Sequence, residues 1–245
     1  MRVAVISDVH SNLPALEAVL DATERAGVDE TWCLGDVVGY GAEPDACTAL
    51  VAERCEVCLA GNHDLAVIGA IDIASFSGPA AAAVRWTRER IGADTAAWLA
   101  ELEPTATREG IGLFHASPRD PVWEYVLSFE QAEAGLDAQE QRIGLIGHSH
   151  VALYFNRPHS SRHRADGGQA VDGDRFDLGS GEWLLNPGSA GQPRDGDPRA
   201  AWLELDTEAP SARFHRVEYD VATAAAAILA AGLPPALAAR LGVGR

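Results

Sequence analysis

No stretch of this chain approaches the roughly 20 consecutive apolar residues that a helix needs to cross a bilayer, so a membrane protein of the helical kind is not expected. Positive charge is scarce: 19 Lys plus Arg stand against 36 Asp plus Glu, a formal net charge of -17. Nonspecific nucleic-acid binding rests on Lys and Arg neutralising phosphates, so the bare surface should repel nucleic acid. Cysteine is confined to Cys33, Cys47, Cys55 and Cys58, all in the first quarter of the chain. Cys55 and Cys58 have Cys-x-x-Cys spacing, but residues three apart on a strand point to opposite faces, and no second such pair exists. The four read as buried thiols, with a redox or zinc role as the alternative. Neither a long repeat nor a dividing linker is visible, so the 245 residues should form one domain, with a core over 1–206 and a C-terminal strand and helices over 207–245.

What is present is an ordinary globular balance, 47% hydrophobic and 22% charged, which argues against disorder along most of the chain. The first apolar run is only a few residues long and ends at Asp8. It reads as a strand rather than a signal peptide, making a soluble, cytoplasmic protein the default expectation.

The first half alternates strand and helix. Ser11 or Asn12 can cap a helix with Pro14 in its first turn and Leu13, Leu16, Val19 and Leu20 as its apolar stripe, ended by Gly27. Glu43 to Arg54 repeats the pattern before a third strand, giving βαβαβ and parallel strands in a buried sheet. Two helices broken near Gly92 are expected between Pro79 and Leu102, a hairpin around Glu109-Gly110, and a helix from Ser128 to Gln139. Beyond His150 come short strands: Val151–Phe155, Ala170–Leu178, Trp183–Leu185, Ala201–Asp206 and Arg213–Tyr219. Two sheets follow. The turn-rich stretch 156–181 carries a basic concentration, Arg157, His159, Arg162, His163 and Arg164, read as a solvated hairpin loop or else a lid or partner contact. Two short helices should close the chain between Val221 and Gly242.

Five of the short apolar runs end on side chains able to bind a metal: Asp8 and His10, Asp36, Asn62, His115, and His148 with His150. In open α/β sheets the reactive crevice lies outside the carboxyl ends of the strands, so ligands placed there converge. Asp8/His10 and His148/His150 are i, i+2 pairs, which point to one side of an extended segment. Carboxylate and imidazole donors without a thiolate suit Mn, Fe, Zn, Co or Ni. Two divalent ions would make such a site locally cationic despite the acidic surface, so a phosphorylated substrate is compatible with the composition.

At Asp8-Val9-His10, Gly35-Asp36, Gly61-Asn62-His63-Asp64, His115 and Gly147-His148-Ser149-His150 the chain resembles the calcineurin-like metallophosphoesterase family, over Met1 to about Asp206. The resemblance implies an α/β (α+β) sandwich, two mixed β-sheets flanked by helices in four αββα layers. It also implies two divalent transition ions, Mn favoured. Asp8, His10 and His150 would bind the first ion, Asp36 would bridge, and Asn62, His115 and His148 would bind the second. His63 would be the general acid and Asp64 its orienting neighbour, whose negative charge would raise the imidazole pKa; helix capping by Asp64 beside a passive His63 is the alternative.

The chain departs from the family pattern at Gly35-Asp36-Val37-Val38-Gly39-Tyr40, where Gly39 replaces a frequent second aspartate and Tyr40 stands where protein phosphatases carry an arginine. Tyr40 could lie against a base or leaving group, or pack on its loop. Arg119, and Arg194 after Asn186-Pro187-Gly188-Ser189, are candidates for gripping phosphate, or surface ion-pair residues. The expected activity is hydrolysis of a phosphodiester or nucleotide-type phosphate ester, a small phosphorylated substrate, by a hydroxide bridging the two ions. A non-catalytic protein-binding scaffold on the same fold and a phosphomonoesterase or protein phosphatase are the alternatives.

Overall fold

The first strand, β1 (Arg2–Ile6), is buried over most of its length, as its continuous apolar run requires inside a parallel sheet. It pairs in parallel with β2 (Glu30–Cys33), which pairs in parallel with β3 (Val57–Cys58). The crossovers are α1 (Leu13–Ala26) and α2 (Pro44–Arg54), completing the expected βαβαβ unit. Asn12 caps α1 by accepting from Ala15 N, and Gly27 ends the helix with φ 68°, a left-handed turn that a residue without a Cβ makes at no steric cost. The computed structural model describes residues 1–158 and 165–245.

On its other side β1 pairs antiparallel with β11 (Ala200–Asp206), followed by β12 (Ser211–Val217) and β9 (Arg175–Asp177), so the first sheet runs β3-β2-β1-β11-β12-β9. The second sheet contains β4 (Thr105–Arg108), β5 (Ile111–Phe114), β6 (Ile143–Leu145), β10 (Glu182–Pro187), β7 (Ala152–Arg157) and β8 (Asp166–Gln169), in that order. The β4–β5 turn is Glu109-Gly110, both at positive φ, the backbone that a two-residue hairpin turn requires.

The two sheets enclose a core that includes Val5, Trp32, Leu113, Leu145, Leu185 and Leu203. Trp32 is fully buried, and truncating such a side chain to alanine typically costs about 3–5 kcal/mol. On the outer face of the first sheet α1 and α2 cover Ile6 with Leu16, Val19 and Val51. On the outer face of the second, α6 (Phe129–Ala138) brings Leu136 against Ile146 and Phe155. The layers are therefore αββα.

The remaining helices are α3 (Asn62–Val67), α4 (Gly78–Arg88), α5 (Ala93–Leu99), α7 (Val221–Ala230) and α8 (Pro235–Leu241). Gly92 sits at the N-cap of α5, the expected break. Ile228, Leu237 and Leu241 of the C-terminal pair pack with Ala80 and Ala83 of α4 and with Tyr40, which places α8 beside the loop carrying Asp36. None of the described helices is long and apolar enough to cross a membrane. The cysteines form no disulfide, and burial pushes the thiols of Cys47, Cys55 and Cys58 up.

One sequence expectation needs correction. Ala170–Leu178 is not a single strand: β8 ends at Gln169 in the second sheet, and β9 begins at Arg175 in the first. Between them Asp174 accepts from Val171 N, and Gly173, at φ 92°, donates its amide to Phe214 O. This turn carries the chain from one sheet to the other, which a run of alternating polarity does not reveal. Arg157, from the basic stretch, is engaged by Glu182 and Asp137; His159, Arg162, His163 and Arg164 lie outside the described residues.

Candidate metal centre

The loops leaving β1, β2, β3, β5 and β6 meet at one edge of the sandwich, and they are stitched together through their backbones. Asp8 N donates to Gly35 O at 3.0 Å, His10 N to Asp36 O at 2.9 Å, and Gly147 N to His115 O at 2.8 Å. The Asn186–Ser189 block braces them from behind. Asn186 Nδ2 donates to Gly147 O at 2.7 Å, and Ser189 Oγ to Asp8 O at 2.7 Å. The chain takes a costly path here. Asp8, His10, Asp36, His148 and His150 all have φ between 51° and 63°, the left-handed region that side chains with a Cβ enter at about 1 kcal/mol or more.

That backbone gathers the candidate ligands into two groups sharing one residue. Ligand atoms of Asp8, His10, Asp36 and His150 lie within 4.8 Å of one another, as do those of Asp36, His115 and His148. Asp36 Oδ1 accepts from His63 N at 2.8 Å, while its Oδ2 stands 3.4 Å from His10 Nε2 and 3.7 Å from His115 Nε2. Asn62 Oδ1 completes the second group, 3.3 Å from His115 Nε2.

The hydrogen bonds behind the rings test whether these residues fit a metal. Nδ1 of His10 faces Val38 O at 3.0 Å, Nδ1 of His115 faces Leu34 O at 2.8 Å, and Nδ1 of His150 faces Gln192 O at 2.6 Å. A carbonyl only accepts, so each Nδ1 carries the proton and each neutral ring turns an Nε2 lone pair into the site. His10 Nε2 and His150 Nε2 then stand 3.0 Å apart with lone pairs opposed. His148 Nε2 and Asp8 Oδ1 are buried with no hydrogen-bond partner. Such a set fits a cation.

Burial dominates the electrostatics. It pushes the Asp8 carboxyl up to about 7 and Asp36 well above the usual carboxylate range, with the neighbouring Asp64 charge adding to the latter. It drives His148 down to about 2, and His10 and His150 well below the ordinary histidine value. Both directions disfavour charge on the protein. A bound cation reverses the sense for the carboxylates and takes the imidazole lone pairs directly.

His63 lies beside the two groups. Its ring is buried, 4.8 Å from His10, 4.3 Å from Tyr40 and 4.9 Å from Phe76 between centroids, and its Nδ1 has no hydrogen-bond partner. Burial, with the Arg194 charge, holds its pKa well below the ordinary value. The expectation that Asp64 orients this ring and raises its pKa is corrected. The Asp64 carboxylate accepts from Gly61 N at 2.9 Å, Val38 N at 3.0 Å and Val37 N at 3.2 Å, capping α3 and fixing the loop after Asp36. Gly39 explains the missing second aspartate: a Cβ there would fall 2.4 Å from His63 Nδ1. The His63 ring occupies the space that a side chain at position 39 would need.

A cavity of about 220 Å³ opens onto Asp36, Asn62, His63, His148 and His150. Tyr40 lines it, packed against α4 and the C-terminal helices and set against the His10 and His63 rings. Arg194 also lines it, with its guanidinium 5.4 Å over the Tyr40 ring. Arg119 is not among the lining residues; it is half exposed and paired with Glu124. Sequence reading missed Phe76, Trp123, Tyr125 and Arg240 in the wall. Tyr125 stacks on His148 at 4.1 Å. The aromatic pair soon after His115 was the available signal for Trp123 and Tyr125; Arg240 offered none.

Comparison with known proteins agrees with this geometry. Residues 1–208 match the model of the calcineurin-like phosphoesterase superfamily domain. The uncharacterized protein MJ0912 of Methanocaldococcus jannaschii is 34% identical over 99% of this chain and 98% of its own length. The crystal structure of a metallophosphoesterase from Sphaerobacter thermophilus is 39% identical, covering 100% of this chain and 99% of its own, with a TM-score of 0.89. The hypothetical protein PH1004 from Pyrococcus horikoshii OT3 shares the fold at 21% identity and a TM-score of 0.79, covering 100% and 98%. With a matching domain over most of its length and an Asp/His cluster that could hold metal at the sheet edge, the chain belongs to the calcineurin-like phosphoesterase superfamily.

Proposed function

We propose that this protein is a dinuclear metal-dependent phosphoesterase acting on a small phosphodiester or nucleotide-type phosphate ester. The observation that carries the reading is the pair of ligand groups sharing Asp36, with three imidazoles locked by backbone carbonyls so that their lone pairs converge. Donors of this kind, without thiolate, suit Mn, Fe, Zn, Co or Ni, and Mn is our choice. When bound, two such ions supply a nucleophile at neutral pH and offset the charge of the phosphoryl group.

The chain's own residues do the rest. Asp8, His10 and His150 would hold one ion, Asn62, His115 and His148 the other, and Asp36 both. Arg194, whose planar fork suits phosphate oxygens, lines the cavity beside the two groups. His63 would give its proton to the departing oxygen. Burial and Arg194 disfavour its charged form, whereas an anionic phosphoryl group against the ring favours it, so binding of substrate would itself raise the acid's readiness. Tyr40, Phe76 and Trp123 exclude water on the leaving-group side. The free thiols accord with action in the reducing cytoplasm, where we place the protein.

The test is reconstitution. Metal-stripped protein titrated with Mn²⁺ should bind two ions per chain and gain hydrolysis of bis(p-nitrophenyl) phosphate in step with the second. Full metal loading without any phosphoester turnover would leave the fold acting as a scaffold.

A further inference from the structure

All 19 Lys-or-Arg residues of this chain are arginine, against 36 acidic ones, yet several of the described arginines form no ion pair. Two such arginines meet at the cavity. Arg194 Nη2 donates to Gln192 Oε1 at 2.9 Å, and Arg240 Nη1 donates to the same oxygen at 3.1 Å. Among the described residues neither forms an ion pair, and Arg194 Nε is buried with no hydrogen-bond partner. Burial and the neighbouring Arg194 charge both lower the Arg240 pKa. Two guanidinium groups thus repel each other across one neutral amide oxygen, and the Tyr40 and Tyr125 hydroxyls that also meet Arg194 bring no negative charge to the pair.

The arrangement is fixed from below. Gln192 N donates to Ser189 Oγ at 2.7 Å, Gln192 O accepts from His150 Nδ1, and Arg194 N donates to His150 O at 3.0 Å. The arginine anchor and a candidate ligand are therefore parts of one loop. Arg240 arrives from α8, beyond residue 208 where the family match ends. The C-terminal helix delivers a second positive group to a wall of the cavity that the shared domain would otherwise leave with Arg194 alone.

We propose that Arg194 and Arg240 form a second anion subsite beside the candidate metal centre, so that the substrates of this protein carry a further phosphate next to the one that is hydrolysed. The position of the hydrolysed phosphate rests on the phosphoesterase reading above. A phosphate carries enough acceptor oxygens to engage both forks at once, and its charge removes the repulsion between them. A single phosphate at the metal ions leaves Arg240 without an anionic partner. Arg240 is then a specificity residue: it selects diphosphate-bearing esters over simple ones and takes no part in bond cleavage.

The experiment is calorimetric titration of the full-length, Mn-loaded chain with methylphosphonate and with methylenediphosphonate, in buffer holding excess Mn²⁺ so that the probe cannot strip the site. Arg240→Gln should weaken the diphosphonate about tenfold or more and leave the monophosphonate nearly unchanged. Arg240→Lys, which keeps the charge and loses the fork, should fall between. Arg25→Gln, an exposed residue in the last turn of α1, removes the same charge and should alter neither. Arg240→Met retains the aliphatic stem and serves if the glutamine variant disturbs α8. Equal loss for both probes, no loss for the diphosphonate, or the same loss in Arg25→Gln overturns the subsite. The two readings fail separately. Diester turnover with probe affinities indifferent to Arg240 sinks the subsite alone, whereas Arg240-dependent discrimination without turnover of any phosphoester sinks the enzyme.

Discussion

His10 and His150 present their Nε2 atoms to each other at 3.0 Å, while Val38 O and Gln192 O hold the opposite nitrogens. Neither ring can turn away without abandoning a buried carbonyl. A cation between the rings should therefore stabilise the whole fold as well as the site. Metal at a hundredfold its dissociation constant adds about 2.7 kcal/mol per site, so chelation should lower the Tm by several degrees and abolish hydrolysis, and Mn²⁺ should restore both better than Ca²⁺, which prefers more oxygen ligands. Calorimetric melts with and without chelator give the answer. An unchanged Tm and undiminished turnover in fully stripped protein would contradict the metal centre.

Asp36 and Asn62 should differ in consequence. Asp36 Oδ2 faces both groups, whereas Asn62 offers one neutral oxygen to the second. Asp36→Asn should lose more metal than Asn62→Ala, as measured by elemental analysis after gel filtration. Two full-occupancy ions in Asp36→Asn would refute the shared position.

His63 lies outside both ligand groups. His63→Gln should keep the metals and lose roughly 10²–10⁴ in rate, the usual share of general acid catalysis. Because a nitrophenolate departs with little protonation, the defect should be small on nitrophenyl esters and large on alkyl or nucleoside esters. Single-turnover rates across a leaving-group series decide it: a uniform loss would assign His63 to holding phosphate instead.

Gly39 tests the same ring from another side. A methyl group at this position meets His63 Nδ1 at 2.4 Å and must also adopt φ 94°. Gly39→Ala should therefore displace His63 and mimic the leaving-group profile of His63→Gln while retaining both metals. A fully active Gly39→Ala with an unshifted histidine, seen in a crystal structure, would remove packing as the source of His63's orientation.

The strand-end candidate ligands were legible because buried strands are short and apolar and a polar side chain stands one or two positions past each apolar run, so Asp8, Asp36, His115 and His148 stand out against their runs. The βαβαβ unit and the Glu109-Gly110 hairpin follow from local periodicity and turn chemistry, whereas the pairing of the strands into two mixed sheets was implied by the family resemblance. Asp64 was misjudged because its neighbour in sequence is His63, but its carboxylate partners are the N-cap amide of its own helix and two amides from a different strand's loop. Arg240 was invisible for a related reason: helix α8 carries it on an Ala-rich segment whose docking place is set by tertiary packing against α4 and Tyr40. The β8-to-β9 crossing between sheets is likewise a product of long-range pairing, which no local pattern records.

Five of the candidate ligands sit on left-handed backbone, and this limits how the centre could be moved. An engineer copying Asp8, His10, Asp36, His148 and His150 onto the regular helices or strands of another scaffold would reproduce the side chains and lose the directions in which they leave the main chain. The unit that can be transplanted is the set of loops with the sheets that hold their twist and the Asn186–Ser189 brace behind them.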